Sequence, residues 1–91
     1  MRITTNEIER IRVLSCHGAM LLGGGAEVVA DEFAKALPGA GRGIVLDLTN
    51  LGYLDSAGVG AVISCLKLAS AAGTVMKVAV APAHSFPSPK E

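Results

Sequence analysis

Ninety-one residues suffice for one small domain, which buries only ~60–65 % of the surface its unfolded chain exposes. With no Trp, one Tyr and two Phe, its core has to come from aliphatic residues and alanine. Eight basic and eight acidic residues cancel, which argues against a general electrostatic attraction to nucleic acid or to an anionic membrane.

Along the chain, Arg2 to Thr5 reads as a short edge strand and Asn6-Glu7 as a turn. Ile8 to Cys16 reads as a second strand, with Ile11 and Val13 on one face and Arg10 and Arg12 on the other. His17-Gly18 ends it. After Gly23-Gly24-Gly25, the spacing predicts a helix over Ala26 to Leu37 with Val29, Phe33, Ala36 and Leu37 inside and Asp31 paired with Lys35 outside. Pro38-Gly39 stops that helix, and Ala40 to Gly43 link it to the next element. Ile44 to Leu48 is an apolar run too short for a helix and rich enough in branched residues for a buried strand.

A polar connection, Thr49 to Tyr53, then leads to Asp55-Ser56, whose side-chain oxygens can accept the free N–H groups of a helix start. From Ala57 to Ala72 the pattern is helical, with Val59, Val62, Ile63, Leu66 and Ala69 on one face and Ser64, Lys67 and Ala71 roughly opposite. Ala72-Gly73 caps this helix, and Val75 to Ala81 form a last buried strand interrupted by Lys77. The result is an α/β fold, order β-β-α-β-α-β, with right-handed crossovers between parallel strands. The domain spans residues 1–81. Residues 82–91 form a Pro-rich tail, in which Pro87 and Pro89 bar a regular helix. Cys16 and Cys65 lack CxxC spacing and fall in a strand and a helix, so they read as buried reduced thiols. Those thiols predict a cytoplasmic protein. Met1 to Glu7 lacks a signal-peptide core, and no apolar run approaches the ~20 residues of a membrane span, which fits the same location.

Val45-Leu46-Asp47-Leu48, six further residues, and then Asp55-Ser56-Ala57-Gly58-Val59-Gly60 resemble the signature of the STAS domain, the fold of the bacterial anti-sigma factor antagonists. The resemblance implies a mixed β-sheet with helices packed against it. It covers about residues 8–81. Two departures stand out. The family commonly carries an aspartate shortly after the glycine at Gly18, where this chain has Ala19-Met20-Leu21-Leu22. A STAS chain also usually continues past the last strand into one or more further helices, which residues 82–91 do not supply. Surface those helices would cover must then meet solvent, the tail or a second subunit, so a homodimer or a marginally stable monomer is expected.

In the family, the serine after the aspartate is phosphorylated by an anti-sigma factor that is also a kinase, which makes Ser56 the phosphorylation site here. The resemblance implies a partner-switching protein, not an enzyme, with a surface of Asp47, Thr49, Asn50, Tyr53, Asp55, Ser56 and Gly58. Unphosphorylated, it binds the anti-sigma factor serine kinase. Phosphorylated, it is released, and a phosphatase restores it. No cofactor or metal is expected, since His17 and His84 are too few and too poorly spaced for a site.

Two other readings stay open: a non-phosphorylated structural STAS subunit of a stressosome or membrane-transporter assembly, and a small hydrolase or nucleotide-binding enzyme. The last is weak. The Ser56 segment lacks the first glycine of a nucleophile elbow, and the triple glycine lacks the Lys-Ser/Thr of a phosphate loop. The two aspartates read as caps for loop and helix N–H groups more naturally than as an acid–base pair or a Mg²⁺ site.

Overall fold

A computed structural model describes residues 1–80. Its elements are β1 (Arg2–Ile8), β2 (Ile11–Met20), α1 (Gly25–Ala36), β3 (Gly43–Asp47), β4 (Leu51–Leu54), α2 (Ser56–Ala72) and β5 (Met76–Ala79). One mixed sheet runs β1-β2-β3-β5, with β1 antiparallel to β2 and the other pairs parallel. This is the expected α/β class with helices against a mixed sheet. The expected order gains one strand, because β4 lies inside the connection read as irregular. Past the end of β3, Leu51, Tyr53 and Leu54 take up pairing with Gly18, Ala19 and Met20 of β2. Leu51 is buried there, opposite Gly18 at the outer end of β2.

That outer end exists because β2 does not stop at His17-Gly18 but runs to Met20. Gly18 takes φ 114°, and the register shifts between Gly18 and Ala19, so the strand bends without ending. At its other end, β1 and β2 are joined by the two-residue turn Glu9-Arg10, where both residues have positive φ (52° and 71°). Primed two-residue turns suit the twist of a hairpin, but Asn and Gly usually form them. Neither residue announced the turn, and both strand boundaries shift accordingly.

Leu14, Cys16 and Met20 of β2 and Ile44 and Leu46 of β3 meet Val29 and Phe33 of α1 and Ala61, Cys65 and Ala69 of α2 in one core. Cys16 and Cys65 are both free thiols within it. Arg12 works on the helix side of the sheet: its guanidinium donates to the carbonyls of Ala36 (2.7 Å), Pro38 (3.2 Å) and Gly39 (3.3 Å). A cation there satisfies orphan carbonyls at the end of α1, and Glu7 holds the same guanidinium at 3.1 Å. The inner face of α1 matches the sequence reading, as does the Asp31–Lys35 pair at 3.3 Å.

The second helix departs from it. Gly58, Ala61, Cys65 and Ala69 are its buried residues, while Val59, Ile63 and Leu66 are 46 %, 47 % and 45 % exposed. Of the expected inner face, Ala69 is buried and Val62 packs partly against the core. Small residues win the inner face because α2 sits close to the sheet: a Cβ on Gly58 would stand 2.5 Å from the Met20 carbonyl oxygen. Of the expected strand Val75–Ala81, the described residues form β5 over Met76–Ala79, and Ala81 lies outside them. The Pro-rich tail, residues 82–91, lies outside the described residues.

Candidate functional site

The outer end of β2, the β2–α1 loop and the start of α2 converge on Asp55. Asp55 is the N-cap of α2, in extended backbone (φ −102°, ψ −171°). One carboxylate oxygen accepts from the Gly58 N–H at 3.0 Å. The other accepts from the Leu22 N–H at 3.3 Å. The Gly58 bond above all, with Leu22 adding to it, holds the Asp55 carboxyl below its ordinary value. The Asp55 N–H in turn donates to the Met20 carbonyl at 3.3 Å. One side chain thus ties the N-terminus of α2 to the loop that opens α1.

Either Asp55 or Ser56 could have been the cap on sequence grounds, and the structure assigns the role to Asp55 alone. Ser56 becomes the first helical residue, and it is exposed. Its hydroxyl takes part in no side-chain hydrogen bond among the described residues. The consequence is chemical: the hydroxyl stands at the positive end of a 17-residue helix with the capping bond made by Asp55 instead, and the N-terminal N–H groups of α2 favour negative charge beside it.

Asp47 organises a second turn. Its carboxylate accepts from the Thr49 hydroxyl at 2.7 Å and the Thr49 N–H at 3.0 Å, and from the Ser15 hydroxyl at 3.4 Å. Those Thr49 bonds come first among the causes that lower its pKa. No hydrogen bond among the described residues joins this group to Asp55. Strand β4 stands between them, carrying the chain ~13 Å onward at ~3.3 Å per residue. Each aspartate serves its own turn.

The expected surface residues therefore divide. Thr49 and Asn50 are exposed on the β3–β4 turn, Tyr53 on β4, and Ser56 at the start of α2. Gly58 lies buried under Leu54, whose Cδ1 would be 2.7 Å from any Cβ there, so it shapes the site from beneath. Two contributors escaped the sequence reading. Leu22, 75 % exposed, gives its N–H to Asp55, and Glu27 accepts from the Gly23 N–H at 3.2 Å. A glycine-rich loop leaves N–H groups in need of acceptors, which is a signal for Glu27 four residues on. Nothing local in the sequence joins Leu22 to Asp55.

The fold is shared with solved structures. The anti-sigma factor antagonist SpoIIAA in its unphosphorylated form superposes with TM-score 0.68 at 21 % identity, covering 97 % of this chain and 76 % of that one. The phosphorylated form, described as a Bacillus cell fate determinant, gives 0.67 at 21 % identity, covering 92 % and 76 %. The STAS domain of an antisigma-factor antagonist from Rhodobacter sphaeroides gives 0.67 at 17 % identity, covering 86 % and 84 %. A search of curated proteins finds no match. The family model of the STAS domain matches residues 2–83, which takes in every strand and helix described above, and the chain belongs to the STAS-domain family.

Proposed function

We propose that this protein is an anti-sigma factor antagonist-like partner switch. Unphosphorylated, it docks the surface from Thr49 to Ser56 on an anti-sigma factor that is also a serine kinase. Transfer of the γ-phosphoryl group of ATP to the Ser56 hydroxyl ends that association, and a phosphatase restores it. The protein itself performs no catalysis. The observation that carries this reading is the exposed Ser56, placed at the first position of α2 and relieved of capping by Asp55.

The physics favours a change in binding over a change in fold. A phosphate adds about −1.5 to −2 charges at pH 7. The dipole of α2 offsets part of that, by ~0.3–1 kcal/mol, while Asp55 next door repels it. In free solution the dianion stays hydrated. Under a docked partner it would be desolvated beside a carboxylate, which costs several kcal/mol. Turning a 99:1 population into 1:99 takes ~5.5 kcal/mol, so this term is of the needed size. The same chemistry would orient the reaction, since Asp55 is placed to fix the turn that presents the Ser56 hydroxyl.

Incubation with the anti-sigma factor kinase of the same genome and ATP, followed by site mapping, should place one phosphate on Ser56. Ser56→Ala should bind the kinase whether or not ATP is present. Ser56→Glu should bind at least about tenfold more weakly, equivalent to ~1.4 kcal/mol. Equal affinities for the two variants, or phosphate elsewhere, would sink the proposal. Stable co-purification with a large assembly and an inert Ser56 would favour the structural-subunit reading.

A further inference from the structure

Residues 21–25 join β2 to α1 through three consecutive glycines, a sequence that by itself leaves a loop free to wander. Here main-chain bonds fix it. The Leu22 N–H is tied to Asp55 and the Gly23 N–H to Glu27. The Gly24 and Ala26 N–H groups both donate to the Leu21 carbonyl, at 3.2 and 3.1 Å. This fixed loop holds the Leu22 side chain out in water, more exposed than any other large apolar residue among those described. One such residue alone is ordinary. Leu22 is not alone, because β4 pairs Tyr53 with Ala19 and Leu54 with Met20. That register sets two more exposed apolar side chains beside the loop and immediately before Asp55-Ser56.

We infer that Leu22 is the apolar anchor by which the chain holds the kinase proposed above, and that the kinase carries a matching apolar pocket beside its nucleotide site; this rests on the switch reading of Ser56. A kinase has to bring the γ-phosphoryl group into line with the Ser56 hydroxyl and close over it. One side of a standard interface, ~800 Å², covers a disc about 16 Å in radius. The Leu22 amide nitrogen, bonded to the Asp55 carboxylate, lies within about 13 Å of that hydroxyl by covalent reach. A partner centred on Ser56 therefore covers Leu22 as well.

The kind of contact follows from the side chains present. The loop, β4 and the first turn of α2 contain no lysine or arginine. Both acids there, Glu27 and Asp55, already accept main-chain N–H bonds. Affinity at this place has to come from apolar burial. Because the loop is fixed before the partner arrives, little ordering has to be done on binding. A rigid, fully covered apolar side chain is the usual form of an interface anchor.

The full chain is titrated without ATP against the anti-sigma factor kinase of the same genome. Leu22→Ala should weaken binding at least about tenfold, equivalent to ~1.4 kcal/mol, and Leu22→Met should stay close to wild type. Neither should move the melting temperature, since the bond to Asp55 uses the main-chain N–H. Ile8→Ala should leave binding unchanged: Ile8 is also exposed and apolar, but it pairs with Ile11 at the far end of β2, ~30 Å from Met20. With ATP present, Leu22→Ala should raise KM for Ser56 phosphorylation and spare kcat, because Leu22 touches no reacting atom. Phosphate on Ser56 with equal affinities for wild type and Leu22→Ala would overturn the anchor and leave the switch standing. So would an equal loss in Ile8→Ala, or a lowered melting temperature in Leu22→Ala. A wild-type chain that gains no phosphate on Ser56 removes the switch, and the anchor with it.

Discussion

Asp55 and Ser56 are adjacent in sequence and opposite in duty. Asp55 spends both carboxylate oxygens on main-chain N–H groups from two different segments, so its removal costs structure. Asp55→Ala should destabilise the domain by about 1 kcal/mol, the usual worth of an N-cap. In a domain of this size that lowers the melting temperature by roughly 4–8 °C, readable by thermal denaturation. Ser56→Ala should leave it nearly unchanged, because among the described residues its hydroxyl makes no side-chain hydrogen bond and Asp55 supplies the cap. A large loss of stability in Ser56→Ala would mean that the serine is a structural residue after all. The motif itself was legible from the residues: strand, connection, Asp-Ser, helix. Which of the two residues would cap was not legible, since both can accept an N–H bond and only the extended backbone at Asp55 selects between them.

At the scale of elements, α2 shows how a glycine can place a helix. With a Cβ at position 58, the Met20 carbonyl and the Leu54 side chain would both be struck, at 2.5 and 2.7 Å. Gly58→Ala should therefore cost about 1–3 kcal/mol, the range for overpacking, despite the better helix propensity of alanine. Urea denaturation measures it. A neutral or stabilising result would show that α2 can back away from the sheet freely. The same close approach explains the inverted helix face. Apolar residues lie nearly all around this helix, so periodicity alone cannot choose among them. Distance to the sheet chooses, and it admits Ala61, Cys65 and Ala69 while turning Val59, Ile63 and Leu66 outward. Helix α1 posed no such ambiguity. Its charges, Glu27, Asp31, Glu32 and Lys35, mark the outer side, leaving Val29 and Phe33 for the core.

The whole molecule has a pH signature with two edges. Asp47 and Asp55 are held below the ordinary carboxylate range by their hydrogen bonds. Their contribution is present above the unfolded value, near pH 4, and is lost as pH falls through the lower folded values. Burial acts on the thiols in the opposite sense, pushing Cys16 and Cys65 up to about 11. Unfolded thiols ionise from about pH 8.5, so stability should decline from there as pH rises toward the folded values. Urea midpoints should thus form a plateau between about pH 5 and 8 with a fall on each side. An alkaline fall that persists when both cysteines are replaced by alanine would remove the thiols as its cause.

Local information was enough for the class of the fold, both helices, the central strand and the exposed serine, because hydrophobic period, proline and glycine stops and capping chemistry act within a few residues. Short-range rules could not supply β4, which exists because the outer end of β2 lies in reach. Nor could they reveal the bond from the Leu22 N–H to Asp55, which spans 33 positions of sequence, or the outward stripe on α2. Each of these depends on how far one element stands from another, and that distance is fixed only when the sheet and helices pack.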